Sequence, residues 1–104
     1  MREIAIPIPG SALTNFCRRW KVHELSLFGS VLSNTFRPDS DVDVLVTFLP
    51  DAEWSLLDHI RMEQELSALF GRQVDLVSKK AVERSENWLR RRAILESAEV
   101  VYAA

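Results

Sequence analysis

The run VDVLVTF, residues 42–48, does most to limit what this chain can fold into. Its β-branched residues favour a strand, along which side chains alternate between two faces. The apolar side chains of such a strand have to be covered by a second layer of structure. The run VHELSLF, residues 22–28, alternates in a similar way and predicts a second strand.

Two helices with recognisable ends are predicted around these strands. Residues 11–20 carry apolar side chains at helical spacing, and Ser11 or Thr14 is the expected N-terminal cap. The longest predicted helix begins with Asp51 as its cap and ends at Gly71. Its expected apolar face consists of Trp54, Leu56, Leu57, Ile60, Leu66, Leu69 and Phe70.

The remaining segments complete a mixed pattern. QVDLVS, residues 73–78, is short and rich in β-formers and predicts a third strand, and a last helix is expected to begin near Ser85. Residues 99–103 form either an edge strand or a tail. The order helix, strand, strand, helix, strand, helix indicates an α/β or α+β protein with a small mixed β-sheet flanked by helices.

Length and composition limit the possible functions. A chain of 104 residues, 47% of them hydrophobic, fits a single domain over residues 1–104, with residues 1–10 as an extended N-terminal arm. The formal charge of -2 gives no basic surface for direct nucleic-acid binding. Cys17 is the only cysteine, and no apolar run approaches the ~20 residues that a membrane-spanning helix needs. We therefore expect a soluble cytoplasmic protein.

Asp41 and Asp43 are the first candidate site residues. They flank Val42 at the start of the predicted strand, so their carboxylates share a face and lie a few ångströms apart. Like charges this close repel each other unless a cation lies between them, and a hard divalent cation prefers such oxygen ligands. The alternative is that both residues belong to the solvent-facing side of an ordinary strand.

Gly29, Ser30 and Asp75 extend this candidate site. A glycine that opens a turn after a strand lets backbone N–H groups approach a phosphate, and the hydroxyl of Ser30 can donate to the same group. If the third strand lies beside the strand of Asp43, Asp75 completes a set of three carboxylates that could hold two Mg²⁺ ions. Otherwise Asp75 is an ordinary strand residue.

These residues carry a resemblance to a known family. LFGSVLSNTFRPDSDVDVLV, residues 27–46, resembles the signature of the minimal nucleotidyltransferases of the DNA polymerase β superfamily, in which Gly-Ser, ten residues and Asp-x-Asp form the nucleotide and metal site. MEQELSALFGRQVDLVSKKAV, residues 62–82, resembles the helix and third-carboxylate strand that follow. The resemblance implies a polymerase β-like nucleotidyltransferase fold and extends from about residue 16 to residue 102.

The resemblance also implies roles for single residues. Gly29 and Ser30 would bind the triphosphate of ATP, and Asp41 and Asp43 would hold Mg²⁺. Asp75 would complete the metal site and help to deprotonate the attacking hydroxyl. Arg37 would contact phosphates, although an exposed arginine in a turn is an equal alternative.

A partner protein is implied in the same way. Relatives of this length are commonly paired with a small helical HEPN-type toxin, an RNase, in a type VII-like toxin–antitoxin module. The nucleotidyltransferase would transfer AMP from ATP to a tyrosine of the toxin and so silence it. The exposed face of the last helix is the expected interface. The basic run at residues 90–92 of that helix is most simply a solvated face, and a patch for a protein partner is the alternative. A homodimer is a further arrangement that the sequence allows.

Two other functions remain open. Many relatives have Ala-Arg-Gly after Gly-Ser, whereas this chain has Leu32, Ser33 and Asn34 and so lacks the arginine's charge. This difference favours an antitoxin that neutralises its partner by binding alone. Modification of a small molecule is the third possibility, and the absence of a predicted second domain counts against it.

Overall fold

The structure is a computed structural model that describes residues 8–32 and 40–104. In this part of the chain a four-stranded mixed sheet has the order β3-β2-β1-β4, with β1 antiparallel to both β2 and β4 and with β2 parallel to β3. The predicted class is confirmed. The elements are α1 Gly10–Arg19, β1 Val22–Phe28, a 3₁₀ turn Gly29–Leu32, β2 Val42–Phe48, α2 Leu56–Phe70, β3 Val74–Ser78, α3 Lys79–Glu83, α4 Trp88–Ser97 and β4 Glu99–Ala103.

The sheet has a thick side and a thin side. Val42, Val44 and Val46 point to the thick side, where they pack with buried residues of α1 and α2 in the main core. On the thin side, a smaller cluster joins Phe28 and Leu45 of the sheet to Val82 of α3 and Ile94 of α4. Alternation along β2 therefore separates the core valines from Asp43 and Leu45.

Most strand predictions are confirmed. β1 and β2 have the predicted bounds, the third strand begins one residue later than expected, and residues 99–103 are an edge strand rather than a tail. The edge position of β3 is covered by α2. Glu63 Oε2 accepts a hydrogen bond of 2.8 Å from the Leu76 N–H, and Ser67 Oγ accepts one of 2.9 Å from the Val74 N–H. These side chains satisfy donors that a bare edge would expose.

The predicted starts of the first two long helices are wrong. α1 begins at Gly10, with Pro9 as its N-cap and no side-chain cap; Ser11 and Thr14 lie inside the helix, and the Thr14 hydroxyl donates to the Gly10 carbonyl. Gly10 is therefore not part of an extended arm, and residues 1–7 lie outside the described residues.

α2 begins five residues later than its predicted cap. It starts at Leu56 behind Ser55, which forms a reciprocal capping box with Asp58, while Asp51 pairs with Lys21 instead. Gly71 ends α2 as predicted, with φ 67°. The expected apolar face is wrong over the first turns, since Leu56, Leu57 and Ile60 are exposed and the buried residues of α2 are Met62 and Leu66.

The end of the chain contains one helix more than predicted. Ser78 caps the short helix α3, and Asn87, not Ser85, caps α4 by accepting a hydrogen bond from the Arg90 N–H. None of the helices in the described ranges combines the length and apolar content needed to cross a membrane. Cys17 lies in the main core, where burial raises the pKa of its thiol to about 12.

We expect Glu63→Ala to lower the free energy of unfolding by about 1–3 kcal/mol, because the Leu76 N–H would lose its acceptor in a buried position. Urea unfolding followed by circular dichroism measures the change. Glu63→Gln keeps an acceptor oxygen and should lose less. Glu96→Ala, which removes an exposed i,i+4 pair with Arg92, is the control and should cost about 0.5 kcal/mol or less. Equal losses for Glu63→Ala and Glu96→Ala would contradict the edge-covering role.

Candidate active site

The sheet topology brings three predicted site residues, Gly29, Asp43 and Asp75, to the same end of the sheet. β1 ends where β2 and β3 begin, because β1 is antiparallel to β2 and β2 is parallel to β3. Phe28, the last residue of β1, pairs with Asp43, and Asp43 pairs with Asp75. Paired residues on neighbouring strands lie roughly 5 Å apart. The condition that the sequence left open for Asp75 is therefore met.

The carboxylates also share the thin side of the sheet. Asp43 is two residues from Leu45 and Asp75 is two residues from Val77, and both apolar residues belong to the thin-side cluster or pack against it. Asp41 lies directly before β2 and is exposed, two residues from Asp43. Asp43 is half-buried and Asp75 is exposed. The group formed by Asp41, Asp43 and Asp75 is called the carboxylate cluster below.

Gly29 is held against this cluster. Its φ of 77° lies in the left-handed region, and a Cβ at this position would collide with the Asp43 carboxylate at Oδ2. The sequence predicted a glycine that lets the backbone approach a phosphate. In the structure the close approach is to Asp43. Ser30 is the next residue of the 3₁₀ turn and is partly exposed, whereas Arg37 lies outside the described residues.

Asp43 is the electrostatically perturbed member of the cluster. Its pKa is raised, first by desolvation and then by the negative charges of Asp75 and Asp41, while Arg90 acts in the opposite direction. Ionised Asp43 therefore costs the folded protein free energy that a bound cation would recover. The raised pKa agrees with the strand register, which sets Asp43 beside Asp75.

Mg²⁺ fits the chemistry of this cluster, since the three side chains offer only the oxygen donors that it prefers. Within the described residues, no three His, Cys, Asp or Glu side chains are already gathered into a metal-binding group. The roles of Asp41, Asp43 and Asp75 as metal ligands therefore stay a prediction. The observations that support it are the shared face, the strand register and the mutual repulsion felt by Asp43.

Arg90 is a neighbour of the cluster that sequence reasoning missed. The sequence predicts a solvated face or a partner surface for the run of residues 90–92. Its three arginines are identical in sequence, so the pattern alone does not indicate which of them lies near the carboxylate cluster. Only the way α4 packs on the sheet reveals that Arg90 acts on Asp43.

A cleft of about 530 Å³, called the larger cleft below, lies at the C-terminal ends of β2 and β3, away from the carboxylate cluster. Phe48, Trp54 and Lys79 are among its lining residues, and none of the predicted site residues that the structure describes contributes to it. Its histidine is structural: His59 Nε2 lies 2.8 Å from the Leu76 carbonyl, which can only accept, so the proton is on Nε2. The chemistry therefore points to the carboxylate cluster and not to the larger cleft.

Comparison with known proteins agrees with this geometry. The family described as "Nucleotidyltransferase domain" matches residues 11–101. The chain belongs to the nucleotidyltransferase domain family. The solved structure of a protein assigned as a minimal nucleotidyltransferase is 34% identical, with a TM-score of 0.66, and covers 88% of this chain and 86% of that one. The polymerase β-like nucleotidyltransferase fold is thereby confirmed.

One relative has a name that states a more specific activity. The protein adenylyltransferase MntA of Thermococcus cleftensis is 44% identical over 66 residues, which cover 62% of this chain and 63% of that protein. The match thus spans less than two thirds of the relative's length.

Two solved toxin–antitoxin structures share the fold. A chain from a toxin–antitoxin complex with AMP-PNP has a TM-score of 0.67 and 19% identity, covering 89% of this chain and 72% of that chain. A chain from the complex of a tri-AMPylated Shewanella oneidensis HEPN toxin with an MNT antitoxin has a TM-score of 0.62 and 17% identity, covering 92% and 71%.

We expect Gly29→Ala to destabilise this nucleotidyltransferase domain more than Gly71→Ala does. Both glycines have positive φ, at 77° and 67°, so both substitutions carry a backbone cost of about 1 kcal/mol. Only at Gly29 does the new methyl group meet the Asp43 carboxylate, whereas open space surrounds Gly71. Thermal unfolding of the two variants measures the difference, and equal losses would show that the close approach to Asp43 is unimportant.

We expect Asp43→Asn to raise the melting temperature of the Mg²⁺-free protein at pH 7. Because folding raises the pKa of Asp43, the protonated carboxyl contributes to stability below the unfolded pKa of about 3.9, and this contribution is lost as pH rises through the folded-state pKa. At pH 7 the ionised carboxylate therefore lowers the stability of the folded protein. The gain of the variant should therefore shrink as pH falls toward 4. Asp51→Asn, outside the cluster, is the control. A variant less stable than the unmodified protein at pH 7 would contradict this electrostatic description.

Proposed function

We propose that this chain is a Mg²⁺-dependent nucleotidyltransferase that transfers AMP from ATP to a hydroxyl of a HEPN-type toxin, with a tyrosine as the acceptor. It would act as the antitoxin of a type VII-like pair in the cytoplasm. The observation that carries the proposal is the meeting of Gly29, Asp43 and Asp75 at one sheet edge, in a chain of the nucleotidyltransferase family.

The proposed chemistry is a single displacement at phosphorus. The acceptor oxygen attacks the α-phosphorus of ATP, the bond from that phosphorus to the bridging oxygen breaks, and pyrophosphate leaves. Asp75 is exposed at the open side of the cluster, and we assign it the proton of the attacking hydroxyl. AMP then remains esterified to the acceptor.

The other residues hold the reactants. Asp41, Asp43 and Asp75 would hold Mg²⁺, which when bound supplies charge neutralisation at the phosphate oxygens. Ser30 and the backbone of the 3₁₀ turn that begins at Gly29 lie at the end of β1, beside Asp43, where a triphosphate would approach. A bound cation would stabilise the ionised form of Asp43 most, because this carboxylate is half-buried and is repelled by its neighbours.

The names of the relatives support the choice of donor and acceptor. One relative is a protein adenylyltransferase, one neighbouring structure contains the ATP analogue AMP-PNP, and another contains an AMPylated HEPN toxin. A protein acceptor also suits a carboxylate cluster that lies at an exposed end of the sheet and not inside the larger cleft. An exposed site can receive a side chain from a second protein.

The decisive experiment incubates this protein with ATP, Mg²⁺ and the helical HEPN-type protein of a neighbouring gene, if the gene encodes one, and measures the intact mass of that protein. We expect gains in units of AMP, and peptide mapping should locate them on tyrosine. The double variant Asp41→Ala, Asp43→Ala should lose the gain by at least about 100-fold, because no carboxylate pair remains to hold the metal. Asp51→Ala, which removes a carboxylate outside the cluster, is the matched control and should retain full transfer.

Each other outcome has a defined meaning. A double variant that still transfers AMP would contradict the role of the carboxylate cluster. If no mass gain occurs and the two proteins form a stable complex, the chain is a binding antitoxin, the alternative that Ser33 favours at the sequence level. Modification of a different residue type would replace tyrosine as acceptor and leave the nucleotidyltransferase assignment intact.

A further inference from the structure

The three arginines in the first turns of α4 have different surroundings. Arg91 donates through Nη1 to the Ser85 carbonyl at 3.0 Å, and Arg92 pairs through Nε with Glu96 at 3.0 Å. The Arg90 guanidinium has no hydrogen bond or ion pair among the residues that the structure describes; its backbone N–H alone serves the Asn87 cap. Arg90 therefore presents its donors to solvent.

Packing places Arg90 beside the carboxylate cluster. Ile94 is the buried residue of α4 and packs in the thin-side cluster with Phe28 and Leu45, and Arg90 is one helical turn before it on the same side. Arg90 and Val77 line the same small cleft of about 180 Å³. Since Asp75 lies two residues before Val77 on that face of β3, the guanidinium is within reach of the cluster.

We propose that Arg90 binds the β- and γ-phosphates of the nucleotide triphosphate, an inference that rests on the proposed function. The cluster supplies only negative side chains, and a triphosphate adds further negative charge beside it. A planar guanidinium at its rim can donate two parallel hydrogen bonds to phosphate oxygens, and this geometry is the one in which arginine recognises phosphate best. Arg90 would thus orient the leaving pyrophosphate.

The test compares the binding of two ligands in the presence of Mg²⁺ by isothermal titration calorimetry. One is α,β-methylene-ATP, which cannot be transferred and carries all three phosphates, and the other is AMP, which has only the α-phosphate. We expect Arg90→Gln to weaken the ATP analogue about 10- to 100-fold, as for loss of charged hydrogen bonds, and to change AMP binding less than about twofold.

Matched variants separate this role from others. Arg92→Gln removes the neighbouring charge that pairs with Glu96, and should leave both ligands unaffected. Arg90→Lys keeps the charge and loses the planar fork, so an intermediate affinity is expected. Thermal unfolding checks that all variants fold, which the exposed position of Arg90 favours. If Arg90→Gln does not fold, the same comparison of ligands is made with Arg90→Lys.

The outcomes distinguish this inference from the proposed function. Unchanged binding of the ATP analogue, or equal weakening of both ligands, overturns the role of Arg90, and the proposed function stands as long as the unmodified protein binds the analogue. If the unmodified protein binds neither ligand, the proposed function fails and this inference fails with it.

Discussion

The close approach of the Gly29 backbone to the Asp43 carboxylate is the contact on which the candidate site depends. It requires β1 to end at Phe28, opposite Asp43, and it requires the next residue to adopt φ 77° without a side chain. A side chain there would displace the Asp43 carboxylate, which the pairing of β2 with β3 sets beside Asp75. The glycine of the Gly-Ser pair thus serves the carboxylates as well as any phosphate that binds beside them.

The position of the carboxylate cluster follows from the two sides of the sheet. The thick side buries Val42 and Val44 completely, and an unpaired carboxylate there would lose its hydration with no compensation. The thin side is covered by a smaller cluster and leaves Asp75 exposed and Asp43 half-buried. This intermediate solvation keeps the half-buried Asp43 carboxylate destabilised enough to favour a cation.

The sequence predicts the sheet better than the helices. β1 and β2 have alternation and β-branched content over their whole length, so their bounds follow from local pattern. The start of α2 depends on a choice between two plausible caps, and Ser55 is preferred because Asp58 completes a reciprocal pair that Asp51 lacks. The apolar periodicity of α2 overstates its burial, since Leu56 and Leu57 are exposed while the buried residues of the helix are Met62 and Leu66.

The candidate site divides in a similar way. Asp75 lies on a strand that is separated from β2 by α2, so its place beside Asp43 follows only from the fold. Gly29, Asp41 and Asp43 can be named from spacing, because the Gly-Ser and Asp-x-Asp motif holds them within one short stretch of sequence. Arg90 cannot, since its relation to Asp43 exists only after α4 has crossed the sheet, and a rotation of one residue would bring a different arginine to the cluster.

Ile94 is the buried residue that sets this rotation. A few apolar contacts on the thin side therefore decide which cation faces the carboxylate cluster. In the role that we propose for Arg90, packing around Ile94 would influence nucleotide binding from one helical turn away.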